Sequence, residues 1–99
     1  MKEGTKKKTS TPAFELGRVV ATSNAMRTLS HEDAIGALFD CHRLGDWGDL
    51  CPDDLRANDR ALKTGERLLS AYTDRHGTKF WIITEADRSV TTILLPKDY

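Results

Sequence analysis

Nothing in this 99-residue chain approaches the about 18–20 consecutive apolar residues that a membrane-spanning helix needs. No glycine-rich loop of the kind that cradles a nucleotide cofactor is present, and no C-x-x-C pair marks a zinc site. The two cysteines, Cys41 and Cys51, have no base placed beside them by the sequence, which leaves a cysteine nucleophile without its activating partner. Cys41, His42 and Cys51 with His31 or His76 would make a poor metal set. Adjacent residues 41 and 42 project to different faces of a helix, so no metal and no cofactor is expected. Neither an internal repeat nor a low-complexity linker occurs after residue 11.

What is present is a composition suited to one modest core: 38% hydrophobic and 30% charged residues, in a length that accommodates one domain and not two. The formal net charge of zero conceals an asymmetry. Residues 1–8 carry Lys2, Lys6, Lys7 and Lys8 against Glu3, while residues 31–66 carry nine carboxylates against four basic side chains. The acidic middle argues against a protein whose main task is gripping nucleic acid through its phosphates, and no helix is basic enough to read a DNA groove. The lysine tail is the one segment that offers nucleic acid a contact.

Residues 1–11 lack apolar content and read as a disordered basic tail, followed by one α+β domain over residues 12–99. The tail runs into Thr-Ser-Thr-Pro rather than an apolar stretch, so it is not a secretory signal and a cytoplasmic location is expected. Phe14, Leu16, Val19 and Val20 form a short extended entry segment, and Thr22-Ser23-Asn24 offers a helix cap. Ser30 opens a second helix with Glu32 and Asp33 in its first turn, an apolar stripe of Ala34, Ile35, Leu38 and Phe39, and Gly45 as its stop. A third helix opens at Pro52 and ends at Gly65.

Three β-rich runs follow, over residues 68–73, 79–85 and 89–95, joined by short polar turns at 74–77 and 86–88. Phe80, Ile82 and Thr84 share one face of the middle run, Trp81 and Ile83 the other. The expected architecture is therefore a helical N-terminal half packed on a C-terminal three-stranded antiparallel meander. Both sheet faces carry apolar side chains, so part of the cover comes from the N-terminal segment or from a partner, and a homodimer would supply it.

Two constellations are candidates for function. Asp46, Asp49, Asp53 and Asp54 bracket Trp47, which makes an acidic patch with an aromatic anchor, suited to a basic groove on a partner protein or to imitating nucleic-acid phosphates; the same aspartates also suit turns and a helix start. The sheet and its turns carry Arg67, Tyr72, His76, Lys79, Trp81, Glu85, Arg88, Thr91 and Thr92. In outline, two helices before an antiparallel meander with these residue types resembles the RelE/barnase-like group of small ribonucleases. Metal-free RNA cleavage needs an acid, a base and cations, roles that His76 or Glu85 and Arg67, Lys79 and Arg88 could fill. Ribonuclease toxins of that group are strongly basic, and this chain is not.

A more specific resemblance lies in the stretches Gly45-Asp-Trp-Gly48, Asn58-Asp-Arg-Ala-Leu62, Gly65-Glu-Arg-Leu-Leu-Ser-Ala-Tyr72, Trp81-Ile-Ile-Thr-Glu-Ala-Asp-Arg-Ser89 and Thr91-Thr-Ile-Leu-Leu-Pro96. Together they resemble a group of small bacterial proteins labelled plasmid-related, over about residues 14–99. The resemblance implies a mobile genetic element as setting and no catalytic residues. The expectation is thus a non-enzymatic accessory protein that binds a host macromolecule, inhibiting a defence complex such as CRISPR or restriction machinery, with a RelE/barnase-like ribonuclease as the alternative.

Overall fold

The computed structural model describes residues 11–99; the expected basic tail lies outside them except for Thr11. Among the described residues, four strands and three helices form an α+β arrangement. Strand β1 (Arg18–Ala21) leads into α1 (Ser23–Thr28) and α2 (His31–Gly36). Helix α2 continues as a wide π turn (Ala37–Cys41) and a 3₁₀ turn (His42–Leu44). Then come α3 (Pro52–Thr64), β2 (Leu68–Thr73), β3 (Lys79–Thr84), β4 (Val90–Leu94) and a final 3₁₀ turn (Pro96–Asp98). The local signals act where expected. Thr22 Oγ1 accepts from Ala25 N at 3.1 Å, Ser30 Oγ accepts from Asp33 N at 3.3 Å, and Gly45 and Gly65 end their helices at φ 85° and 78°.

The meander of β2, β3 and β4 is antiparallel, but the sheet has four strands in the order β1-β4-β3-β2, with β1 parallel to β4. This corrects the three-stranded expectation. The Val19-Val20 segment is β-branched, and it pairs with the otherwise open edge of β4 instead of lying over a face. All three helices therefore sit inside the connection between two parallel neighbours, as parallel pairing requires.

Two contiguous apolar clusters lie on one face of the sheet. Phe80, Ile82, Ile93 and Leu95 pack with Ala25, Leu29, Ala34, Ala37 and Leu38 of the first two helices and the π turn. Leu68 packs with Trp47 and with Ala61 of α3, edged by Phe14, Leu50, Leu55 and Leu62. The stripe on α2 differs from its expected position. Ala34 and Leu38 are buried, but Ile35 and Phe39 are exposed, and Ala37 and His42 take the inward places. The π turn sets the end of the stripe: His42 N donates to Ala37 O five residues back, which rotates the helix end and turns residue 42 onto the sheet.

His42 is completely buried, and it anchors a hydrogen-bond chain. Its Nδ1 lies 2.5 Å from Ser70 Oγ and its Nε2 2.9 Å from Thr84 Oγ1. Thr84 Oγ1 is 2.7 Å from Thr91 Oγ1, which donates to Leu16 O at 2.6 Å. A carbonyl only accepts, so the direction of the whole chain follows. Thr91 spends its proton on Leu16, Thr84 donates to Thr91, and His42 must donate from Nε2 to Thr84. Nδ1 of the neutral ring then accepts from Ser70. Burial, aided by the Arg88 charge, pushes the imidazole down to about 4.

The outer edge of β2 is closed by backbone and amide pairing. Asn58 Nδ2 donates to Leu69 O (2.5 Å) while Asn58 Oδ1 accepts from Leu69 N (3.1 Å). Asp49 N donates to Ala71 O and Ala71 N to Trp47 O, at 2.7 and 3.1 Å. Glycine is required there: at φ 76°, a Cβ on Gly48 would stand 2.0 Å from Ala71 O. The other end of the fold is tied by Arg75, which bonds Asp33 and Glu32 at 2.9 and 2.7 Å and so joins the β2–β3 turn to the start of α2. That guanidinium holds the Asp33 carboxyl down at about 2.

Two outcomes follow from these contacts. Because the folded pKa of His42 lies below its unfolded value near 6.5, the native state binds fewer protons between the two, and stability falls as pH drops through that window. The loss approaches about 3 kcal/mol at pH 4. Urea melts at stepped pH should show the loss in the wild type, and His42→Gln should flatten it; an equal slope in both would exclude His42 as its origin. Gly48→Ala should cost about 2 kcal/mol or more in the same melts, through left-handed strain and the clash with Ala71.

Candidate functional site: the open face of the sheet

Strand alternation and register place side chains of the second sheet face in four rows. Arg67, Glu85, Val90 and Arg18 form the first, the Glu85–Val90 step being held by Glu85 N to Val90 O at 3.0 Å. Leu69, Ile83, Thr92 and Val20 form the second. Ala71, Trp81 and Leu94 form the third, with Thr73 and Lys79 below them. Ile83 and Leu94 are buried, yet they pack with neither of the two helix-bearing clusters. The helices cover one face; this is the other.

What lies over this face among the described residues is the C-terminal turn, held by Asp98. Its carboxylate accepts from Thr22 Oγ1 at 2.6 Å, from Asn24 Nδ2 at 2.7 Å and from Leu95 N at 3.0 Å. These donors, Thr22 first, lower the Asp98 pKa. The clamp positions Tyr99 against Trp81, with ring centroids 5.6 Å apart and planes at 71°. The Arg67 guanidinium lies 5.5 Å from the Tyr99 ring centre and also donates to its hydroxyl. Tyr99 remains 67% exposed, and Trp81 is half-buried. Arg18, Arg67 and Lys79 are exposed around the aromatic pair, against the single carboxylate of Glu85 among the row residues.

Of the acidic candidates, Asp46, Asp49, Asp53 and Asp54 are all exposed, beyond the outer edge of β2 and at the start of α3. Trp47 is not with them at the surface. It is 2% exposed, its Nε1 donates to Asp59 at 3.0 Å, and its ring packs on Phe14 and His42 at 6.1 and 5.7 Å. An indole beside a strand edge contributes more by filling the core than by staying wet, so the patch has no aromatic anchor. Asp46 caps Gly48 N at 3.2 Å, and Asp53 pairs with Arg56.

The residues proposed for RNA cleavage do not converge. Arg67, Glu85 and Arg88 stand at one end of the strands, whereas His76 and Lys79 stand at the other. Lys79 and Glu85 are six residues apart on one strand path, about 20 Å in extended chain. Arg88 is a structural clip: it donates to Glu66 O at 2.7 Å and to Ala61 O and Glu85 O at 3.2 Å, and lies over Phe14 at 5.7 Å. Tyr72 and Thr91 face the helices; burial pushes the Tyr72 phenol well up, and it donates to Asp46 O at 2.6 Å. Among the described residues, no three His, Cys, Asp or Glu side chains converge in a group that could hold a metal. No described helix is long and apolar enough to cross a membrane.

No protein-family model, curated protein or solved structure matches this chain. The open face therefore has to be read from its own residues. Sequence reasoning missed Tyr99, Arg18 and the Asp98 clamp as members of it. Trp81 was the available signal, since it alternates against Phe80 and Ile82 in the middle strand.

The clamp has a direct readout. Trp47 is buried, so collisional quenching by acrylamide reports on Trp81. Asp98→Ala should release Tyr99 and raise the quenching constant of the native protein. An unchanged constant would show that Asp98 does not position the turn.

Proposed function

We propose that this protein acts by binding a macromolecule through the open face of its sheet, without catalysing a reaction. The observation that carries this reading is the Arg67–Tyr99–Trp81 ladder, in which an exposed aromatic ring is held ready by a three-donor clamp on the preceding residue. Preordering aromatic and guanidinium groups lowers the entropy lost on binding, and these residue types dominate binding energy at interfaces. Among the described residues, the titratable groups of this face have no acid–base partner set across a cleft, which favours binding over chemistry. The role as an inhibitor of a defence complex, carried by a mobile genetic element, rests on the resemblance to plasmid-related proteins. The acidic surface beyond β2 is a separate face of opposite sign.

Retention of cellular macromolecules on the tagged protein tests the choice of surface. A Trp81→Ala/Arg67→Glu variant should lose what the wild type retains from a bacterial lysate, whereas Asp49→Lys/Asp54→Lys should keep it. Loss in the acidic variant alone, or in neither, would remove the open face from the proposal.

A further inference from the structure

We infer that the occupant of the open face is single-stranded nucleic acid, its bases stacking on Tyr99 and Trp81 and its phosphates met by Arg67, Arg18 and Lys79. This rests on the reading of that face as the binding surface. Three observations select the partner.

The first is chemical. Every base offers a π face, and stacking on an aromatic side chain needs a ring that is held in place but not covered. Tyr99 meets both conditions, being clamped through Asp98 and 67% exposed, and the half-buried Trp81 lies beside it. The planar Arg67 guanidinium over Tyr99 adds a group that can both stack and bind phosphate.

The second is the kind of apolar surface available. The centre of a protein–protein interface is depleted of charged side chains. The other large exposed hydrophobics, Val19, Met26, Ile35 and Phe39, lie away from this face, on the helix-bearing side and the β1 edge. Ala71, Ile83 and Leu94 flank Trp81 but are buried or half-buried, so the exposed side chains of this face are Tyr99, Thr73, Glu85 and three cations.

The third is scale. Arg18 and Arg67 are separated by three strand spacings, about 14 Å, and Lys79 stands about 20 Å along the strands from the Arg67 row. That area holds a short stretch of splayed nucleotides. Among the described residues, no helix or ribbon projects from this sheet face to enter a duplex groove. Three phosphate-binding cations also explain how a chain of zero net charge can take such a ligand. The carboxylates of residues 46–54 lie beyond the β2 edge, and the contribution from stacking is independent of net charge.

Fluorescence anisotropy with labelled oligo(dT), oligo(U) and a hairpin duplex at about 50 mM salt tests the inference on the full chain. Both single strands should bind, and the duplex at least tenfold more weakly; the two single-strand arms show whether the sugar matters. Log affinity should fall with log salt at a slope of about −2, from three phosphate contacts at about −0.7 each. Tyr99→Ala and Trp81→Ala should each weaken binding about tenfold or more. The exposed-site change Arg67→Glu, which cannot remove core packing, should weaken it similarly, while Asp54→Ala should leave it unchanged. Absence of single-strand binding, equal affinity for the duplex, or indifference to Tyr99→Ala and Arg67→Glu would overturn the inference. If oligonucleotides fail to bind while retention from lysate still depends on Trp81 and Arg67, the ligand class falls and the surface assignment stands.

Discussion

The arrangement of this molecule depends on a buried imidazole. His42 joins the end of the α2 helix to strands β2 and β3 through Ser70 and Thr84, and through Thr91 to β4 and the entry segment at Leu16. The side chains of His42, Ser70, Thr84 and Thr91 are completely shielded from water, so each must find its partner inside the protein. One carbonyl acceptor at the end of the chain orients every proton in it, which leaves a single arrangement of helix on sheet that satisfies all the groups. Sliding the helix by one residue would leave several polar atoms buried and unpaired, a cost of about 1–3 kcal/mol each. The chain thereby decides which sheet face is covered, and so which is left open.

The consequences reach the opposite surface by strand alternation. Once Ser70, Thr84 and Thr91 point toward the helices, Leu69, Ile83 and Thr92 must point away, and with them Arg67, Trp81 and Lys79. The C-terminal turn uses the same scaffold: Asp98 bonds the residue that caps α1, so the helix start and the placement of Tyr99 share one contact. Charge also divides between the two surfaces. Asp46, Asp49, Asp53 and Asp54 lie beyond the β2 edge, while the charged row residues of the open face are three cations and one carboxylate. A net charge of zero describes neither surface.

Much of the chain's organisation was legible in its residues. Thr22, Ser30, Gly45 and Gly65 mark helix boundaries because capping and left-handed stops are local effects, decided within a few residues. The three C-terminal runs were readable for the same reason: alternation and the polar turns are short-range. What was not readable came from distant contacts. The pairing of Val19-Val20 with β4 joins segments about 70 residues apart, and no local pattern separates an edge strand from an extended lead-in. The inward turn of His42 needed the π turn, and the burial of Trp47 needed Asp59 and Phe14 to converge on it.

The candidate site divides along the same line. From the sequence alone came the residue types, the alternation that opposes Trp81 to Phe80 and Ile82, and the absence of a cofactor loop or nucleophile motif. Tertiary structure decided that Arg67, Glu85 and Arg88 stand apart from His76 and Lys79, that Tyr99 is carried onto Trp81, and that the acidic residues occupy a different surface. The reason is physical: alternation assigns side chains to one of two faces, but which face stays open depends on where the helices dock. Docking here is governed by a hydrogen-bond chain whose members, from Leu16 to Thr91, span 75 residues of sequence.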